Sequence, residues 1–215
     1  MTAAADPATP ALSLAAPFDA LAPLRLPADL RLTPEQFALV CDENREAVLE
    51  LSADGRVITM TPTGSETGAR NGELFFQLKL FARATAAWKA FDSSTGFLLP
   101  DGSVLSPDAS LVRLERWQAL TPEQRRAFAP LCPDLVAELA SPSDDGPRGL
   151  TALRRKMAAY RANGARLGWL LLPDEQAVEV WPASGEPRRI EQAEVLAAGP
   201  EFPGLELELA EIWNG

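Results

Sequence analysis

Residues 167–172 read Leu-Gly-Trp-Leu-Leu-Leu, and this run constrains the fold more than any other. It is apolar at both alternating phases, so as a strand it has no face to give to water. It belongs inside a sheet that is covered on both sides. The segment Ala177 to Pro182 (AVEVWP) is its expected hairpin partner, with the turn Pro173-Asp174-Glu175-Gln176 between them.

The rest of the chain supplies the covering layers. Thr33-Pro34-Glu35-Gln36 signals a helix start, with Thr as N-cap and Pro at the first helical position, and the helix runs to about Asn44. Ala47 to Leu51 and Val57 to Thr61 read as strands joined by a turn at Asp54-Gly55. A long helix is predicted over 67–90, with Leu74, Leu78, Phe81, Thr85 and Trp88 as its core stripe. Strands are expected over 94–98 and 109–112, with a turn at Pro100-Asp101-Gly102 between them. Two short helical stretches follow, over 115–120 and after Thr121-Pro122-Glu123. Leu135 to Leu139 is a short apolar strand carrying one acid. A helix over 150–163 is closed by Gly164. Near the end Leu205, Leu207 and Leu209 alternate, followed by a short helix or tail with Trp213. There is no internal repeat. This order implies an α/β or α+β fold with a mixed central sheet flanked by helices. Residues 1–28 are rich in Ala and Pro and read as a flexible tail, leaving 29–215 as one domain.

Composition narrows the chemistry. The chain has no histidine, which excludes histidine general bases, Ser-His-Asp and Cys-His nucleophiles, and histidine-containing zinc sites. Cys41 and Cys132 form no CxxC pair and read as reduced thiols in a cytoplasmic protein. No apolar run is long enough to suggest a membrane span. A net charge of −10 argues against a module that coats nucleic acid with a broad basic face. It leaves room for a nuclease, because a metal ion and a local basic patch can handle phosphate.

Three residues then draw notice. Asp108, in Ser106-Pro107-Asp108, stands at the entrance to an apolar strand. Glu138 lies inside Leu135-Val136-Ala137-Glu138-Leu139, where a carboxylate is costly unless it is paired or binds a metal, or unless alternation turns it to water. Lys156 falls about 40° from Tyr160, at the edge of the apolar face formed by Leu150, Leu153, Met157 and Tyr160. Its stem can lie on the core while the ammonium reaches a site, or it can be a solvated helix flank. Glu73 and Gln77 lie four apart on the long helix and can reach one shared site. Between Gly146 and Pro173 there is no acid, and Arg148, Arg154, Arg155, Lys156, Arg161 and Arg166 make a basic window. That window can hold a phosphate backbone or complement a helix dipole. Two carboxylates can hold Mg²⁺, which acidifies a water and offsets charge on a phosphate oxygen, and a nearby lysine can orient or deprotonate that water.

The strings LELSADGRVITMTPTG, FDSSTGFLLPDGSVLSPDASLV, LTPEQRRAFAPLCPDLVAELASPSD and KMAAYRANGARLGWLLLP resemble the Uma-two family of the PD-(D/E)xK nuclease superfamily. The resemblance runs from about Leu30 to Trp213. It implies a restriction endonuclease-like core and a metal site of Asp108 and Glu138, with Lys156 as the lysine. In the superfamily that lysine usually stands two residues after the acid, where this chain has Ala140. Glu73 matches an extra acid on the first long helix, and Glu50 matches another recurrent acid whose role stays open. Many relatives carry a histidine near the start of the long helix, and this chain has Thr67 or a neighbour instead. The implied activity is Mg²⁺- or Mn²⁺-dependent cleavage of phosphodiester bonds in DNA, by a homodimer. Two other readings stand beside it: a degenerate nuclease fold acting as a binding or regulatory module, and a metal-dependent hydrolase of another phosphate ester.

Overall fold

The computed structural model describes residues 26–27, 29–60, 62–141 and 147–215. The tail expected over 1–28 lies almost wholly outside these residues, as does most of the loop before the helix that carries Lys156. Helix α1 (Pro34–Glu43) begins on a reciprocal capping box. Thr33 Oγ1 accepts from the Gln36 N–H, and Gln36 Oε1 accepts from the Thr33 N–H. Strands β1 (Val48–Leu51) and β2 (Val57–Met60) form the expected antiparallel hairpin. Gly55 turns it at φ 81°, where a Cβ would stand 2.8 Å from the Leu32 carbonyl oxygen.

Helix α2 (Ser65–Thr85) is shorter than the predicted helix over 67–90. Ala86, at φ 52°, ends it, and Trp88 belongs to strand β3 (Trp88–Asp92). Trp88 does enter the same core as Leu74 and Leu78, but from the sheet. No Gly or Pro between residues 82 and 90 marks the change, so the apolar spacing alone reads through it. The strand expected over 94–98 shrinks to β4 (Phe97–Leu98). Next come β5 (Val104–Leu105), β6 (Ala109–Arg113), α3 (Leu114–Gln118), α4 (Pro122–Arg126) and β7 (Leu135–Leu139). The chain continues with α5 (Pro147–Ala162), β8 (Leu167–Leu172) and β9 (Ala177–Pro182). It closes with β10 (Arg188–Glu191), β11 (Val195–Ala197), β12 (Glu206–Glu208) and α6 (Ala210–Asn214). Among the described residues, no helix is long and apolar enough to cross a membrane.

The central sheet runs β10-β9-β8-β7-β6-β3. All six residues of β8 are buried, as a strand apolar at both phases demands. Its pairing with β7 is parallel, while the other pairs in this sheet are antiparallel. A parallel pair needs a crossover, and α5 supplies it. A smaller sheet, β2-β1-β5-β4, packs with α1, and β11 pairs with β12.

Alternation then sorts the side chains. Ala137 and Leu139 of β7, with Trp169 and Leu171 of β8, join Leu74 and Leu78 of α2 in one core. Val136, Leu170 and Leu172 join Met157 and Tyr160 of α5 in the other. Glu138 is in phase with Val136, so it faces α5. Gly168 lies on the same face, where a Cβ would collide with the Met157 methyl. The glycine lets α5 lie low on the sheet, and this brings its next-door residue, Lys156, down toward β7.

Candidate active site

The last β6–β7 pair is Ala109 with Ala137, so one further step sets Asp108 opposite Glu138. The Leu139 N–H donates to Asp108 Oδ2 at 2.7 Å and fixes that carboxylate at the end of the strand pair. Glu138 is 3% exposed, which removes the solvated alternative for it. Lys156 reaches it from α5, with Nζ 2.9 Å from Glu138 Oε1. Tyr160, one turn further along α5, donates its hydroxyl to the same Oε1 at 3.1 Å.

Lys156 has two more acceptors. Nζ lies 2.8 Å from Glu50 Oε1 and 2.9 Å from the Ser106 carbonyl oxygen. The Ser106 N–H in turn donates to Glu50 Oε1 at 2.7 Å. An amine with three acceptors at this range is an ammonium with every proton placed. Glu50 comes from β1 in the smaller sheet, so the site draws on both sheets and α5. Asp108 keeps some exposure, whereas Glu50 and Glu138 are buried. The cluster is thus reached from the Asp108 side.

The electrostatics follow from burying three carboxylates around one ammonium. Burial, with help from Asp108 and Glu50, outweighs Lys156 and lifts the Glu138 pKa to about 8. Burial also raises Asp108, against the pull of Lys156, the Leu139 N–H and Asn71. Lys156 is held above the ordinary lysine value: burial opposes its charge, but Glu138 and Glu50 prevail. The sign for stability is set by Glu138. Between its ordinary value of 4.5 and about 8, the folded metal-free protein holds a proton that the unfolded chain has lost. Metal-free stability therefore falls as pH rises through that window and levels off above it. Urea melts in chelator across pH 5 to 9 are expected to show this fall and a flatter profile for Glu138→Gln. Equal slopes in the two proteins would refute the assignment.

Asp108, Glu138 and Lys156 are brought together as the sequence suggested. Glu73 is not. It stands about 200° around α2 from Asn71, the α2 residue that does reach Asp108. The Glu73 carboxylate accepts from Gln77 Nε2 at 2.9 Å, and Gln77 also bonds the Glu208 backbone on β12. Glu73 and Gln77 do meet, but over the C-terminal strand pair. The basic window is partly neutralised as well. Arg154 pairs with Glu179 and Arg166 with Glu201, acids that follow the window in sequence. Arg161 donates to the Gly185 carbonyl and lies over Trp181. The Arg148 side chain lies outside the described residues, and Arg155 is exposed.

Two site residues carry no signal in the sequence reading. Tyr160 counted only as apolar core, and its hydroxyl matters because Glu138 lies beneath it. Asn71 donates from Nδ2 to Asp108 Oδ1 at 3.3 Å, and a lone Asn within a helix stands out in no pattern.

The donor set suits a hard divalent cation. Among the described residues no three His, Cys, Asp or Glu side chains group into a ready-made metal cage. Mg²⁺ does not need one, since it is typically held by one or two carboxylates together with waters and substrate phosphate. Asp108 and Glu138 supply such a pair. With all three carboxylates ionised, the cluster carries two negative charges beyond the one that Lys156 offsets. A divalent ion cancels that excess.

No curated protein matches the chain. A crystal structure described as a putative nuclease belonging to DUF820, from Anabaena variabilis, is similar in fold, with a TM-score of 0.65 and 21% identity. The match covers 85% of this chain and 98% of that one. The family model for Uma2, described as putative restriction endonuclease, matches residues 34–210, a span that includes every residue of the cluster. On that match, the chain belongs to the Uma2 family.

Proposed function

We propose that this protein is a metal-dependent endonuclease that hydrolyses phosphodiester bonds in DNA. The observation that carries the reading is the set of Asp108 and Glu138, facing each other at one end of the sheet, with the Lys156 ammonium on Glu138. Bound there, Mg²⁺ or Mn²⁺ lowers the pKa of a water and offsets charge developing on the phosphate. Asp108 and Glu138 would hold the ion. The Leu139 N–H and Tyr160 hydroxyl keep those two carboxylates aimed. Lys156 acts as a fixed positive charge, because all three of its protons are committed to Glu138, Glu50 and Ser106. It stabilises negative charge on the scissile phosphate and is not the base. The overall charge of −10 is no obstacle at the site itself, where Lys156 supplies a positive charge and Asp108 and Glu138 would hold a divalent cation.

The test is incubation of the full chain with supercoiled plasmid and single-stranded RNA, in Mg²⁺, Mn²⁺ or chelator. Nicked and linear plasmid are expected with either metal and none in chelator. Cleavage of RNA alone would move the substrate to RNA. Intact DNA and RNA with both metals would refute the reading. Two copies, one per strand, suit duplex cleavage.

A further inference from the structure

Asn71 is only half satisfied. Its Nδ2 makes a long 3.3 Å contact with Asp108 Oδ1, beyond the usual range for a bond to a carboxylate. Its Oδ1 is shut off from solvent and has no hydrogen-bond donor among the described residues. A buried acceptor left in this state has given up its hydration without a replacement bond. Among the described residues no group partners that oxygen, yet it belongs to the same amide that touches Asp108. We infer that Asn71 Oδ1 is a third, uncharged protein ligand for a divalent cation held by Asp108 and Glu138. This rests on the metal-site reading given above and extends it to a residue outside the two carboxylates.

Three physical points support it. The first is spacing. Half a turn of the Asn71 amide exchanges its two ends, and then an oxygen stands where Nδ2 is now, 3.3 Å from Asp108 Oδ1. Two neighbouring oxygens on an octahedral ion with bonds of ~2.1 Å lie about 3.0 Å apart. Without a cation the NH₂ end must face the carboxylate, since two oxygens would repel. With one, the oxygen end is favoured. The second is charge. The cluster already has an excess of carboxylates, and an amide adds a donor atom without adding to that excess. The third is hardness. Two carboxylates and an amide carbonyl, with no nitrogen or sulfur ligand, suit Mg²⁺ and Mn²⁺ and disfavour Zn²⁺. Access agrees with this: Asp108 and Asn71 are both partly exposed, whereas Glu50 and Glu138 are buried.

The experiment is Mn²⁺ titration of the full chain, with free Mn²⁺ followed by electron paramagnetic resonance. The variants are Asn71→Ala, Asn71→Leu, Asn71→Asp and Asp108→Ala. Wild type is expected to bind Mn²⁺, and both Asn71→Ala and Asn71→Leu to bind about tenfold or more weakly, the effect of losing roughly 1.4 kcal/mol. The leucine variant preserves side-chain bulk, which separates ligand loss from a packing defect. Asn71→Asp keeps an oxygen and is expected to bind at least as tightly as wild type. It should also melt lower than wild type in chelator and gain more from Mn²⁺, because only the metal relieves its repulsion with Asp108. Unchanged affinity in Asn71→Ala and Asn71→Leu, with loss in Asp108→Ala, would overturn the ligand role and leave the metal site standing. Asn71→Asp as weak as Asn71→Ala would also overturn it, since the N–H to Asp108 would then be what matters. No Mn²⁺ binding by wild type would instead overturn the metal site itself.

Discussion

Asp108→Asn is expected to lower Mg²⁺-dependent plasmid nicking by about a hundred- to a thousandfold while the protein stays folded. The size is that of removing one well-placed electrostatic group from an active site. The substitution is chosen for its shape. An asparagine at 108 still offers an oxygen to the Leu139 N–H, which Asp108 Oδ2 now accepts at 2.7 Å. What disappears is a negative charge beside Glu138. Nicking is measured with each protein at matched concentration, and far-UV circular dichroism checks the fold. Glu73→Ala is the internal control. Its carboxylate is engaged with Gln77 over β12, so its nicking rate should stay close to wild type. Full activity in Asp108→Asn would sink the site. A large loss in Glu73→Ala would show that the carboxylate swings into the cluster when DNA binds.

Lys156→Met is expected to be the most destabilising single change at the site, by about 3–5 kcal/mol at neutral pH. The lysine side chain is 14% exposed, and its two carboxylate partners are each 4% exposed. Methionine replaces the stem but leaves Glu50 and Glu138 buried without a cation. The loss should be smaller at pH 7 than at pH 9, because wild-type Glu138 sheds its proton near pH 8 with the ammonium beside it, whereas in the variant that carboxyl has no cation to face. Urea denaturation at the two pH values measures both. A loss below about 1 kcal/mol at neutral pH would mean that the carboxylates are solvated and the ion pair is marginal. Lys156→Arg should not restore the wild-type protein. A planar guanidinium cannot direct its donors to Ser106, Glu50 and Glu138 as a compact ammonium does.

The parts of this molecule that were legible in its sequence share a cause. Leu167 to Leu172 and Glu138 stood out because each conflicts with a simple one-sided strand, one by having no polar phase and the other by placing an acid in an apolar run. The capping signal at Thr33 acts within a single turn, so it too was readable. The misreadings arose where the answer lies elsewhere in the chain. Helical spacing grouped Glu73 with Gln77 correctly but does not say which neighbour that face meets. The basic window gave up part of its charge because Glu179 and Glu201 fold back onto Arg154 and Arg166. The break after Thr85 has no local punctuation, and a packed sheet decides it. Asn71 and Tyr160 gain meaning only from Asp108 and Glu138, which approach them across tens of residues.

The three bonds of Lys156 join pieces of chain that have separate origins. Glu50 belongs to the hairpin of the smaller sheet, Ser106 to the stretch between β5 and β6, and Glu138 to the central sheet. The ammonium is therefore a rivet as well as a charge. Cutting the chain after the hairpin would leave the central sheet and its helix complete, yet strip the lysine of one anchor and shift its position against the acid beneath it. Damage to a peripheral strand would thus be felt at the candidate site. For the same reason, deuterium uptake by the hairpin amides should register what occupies a site on a different sheet.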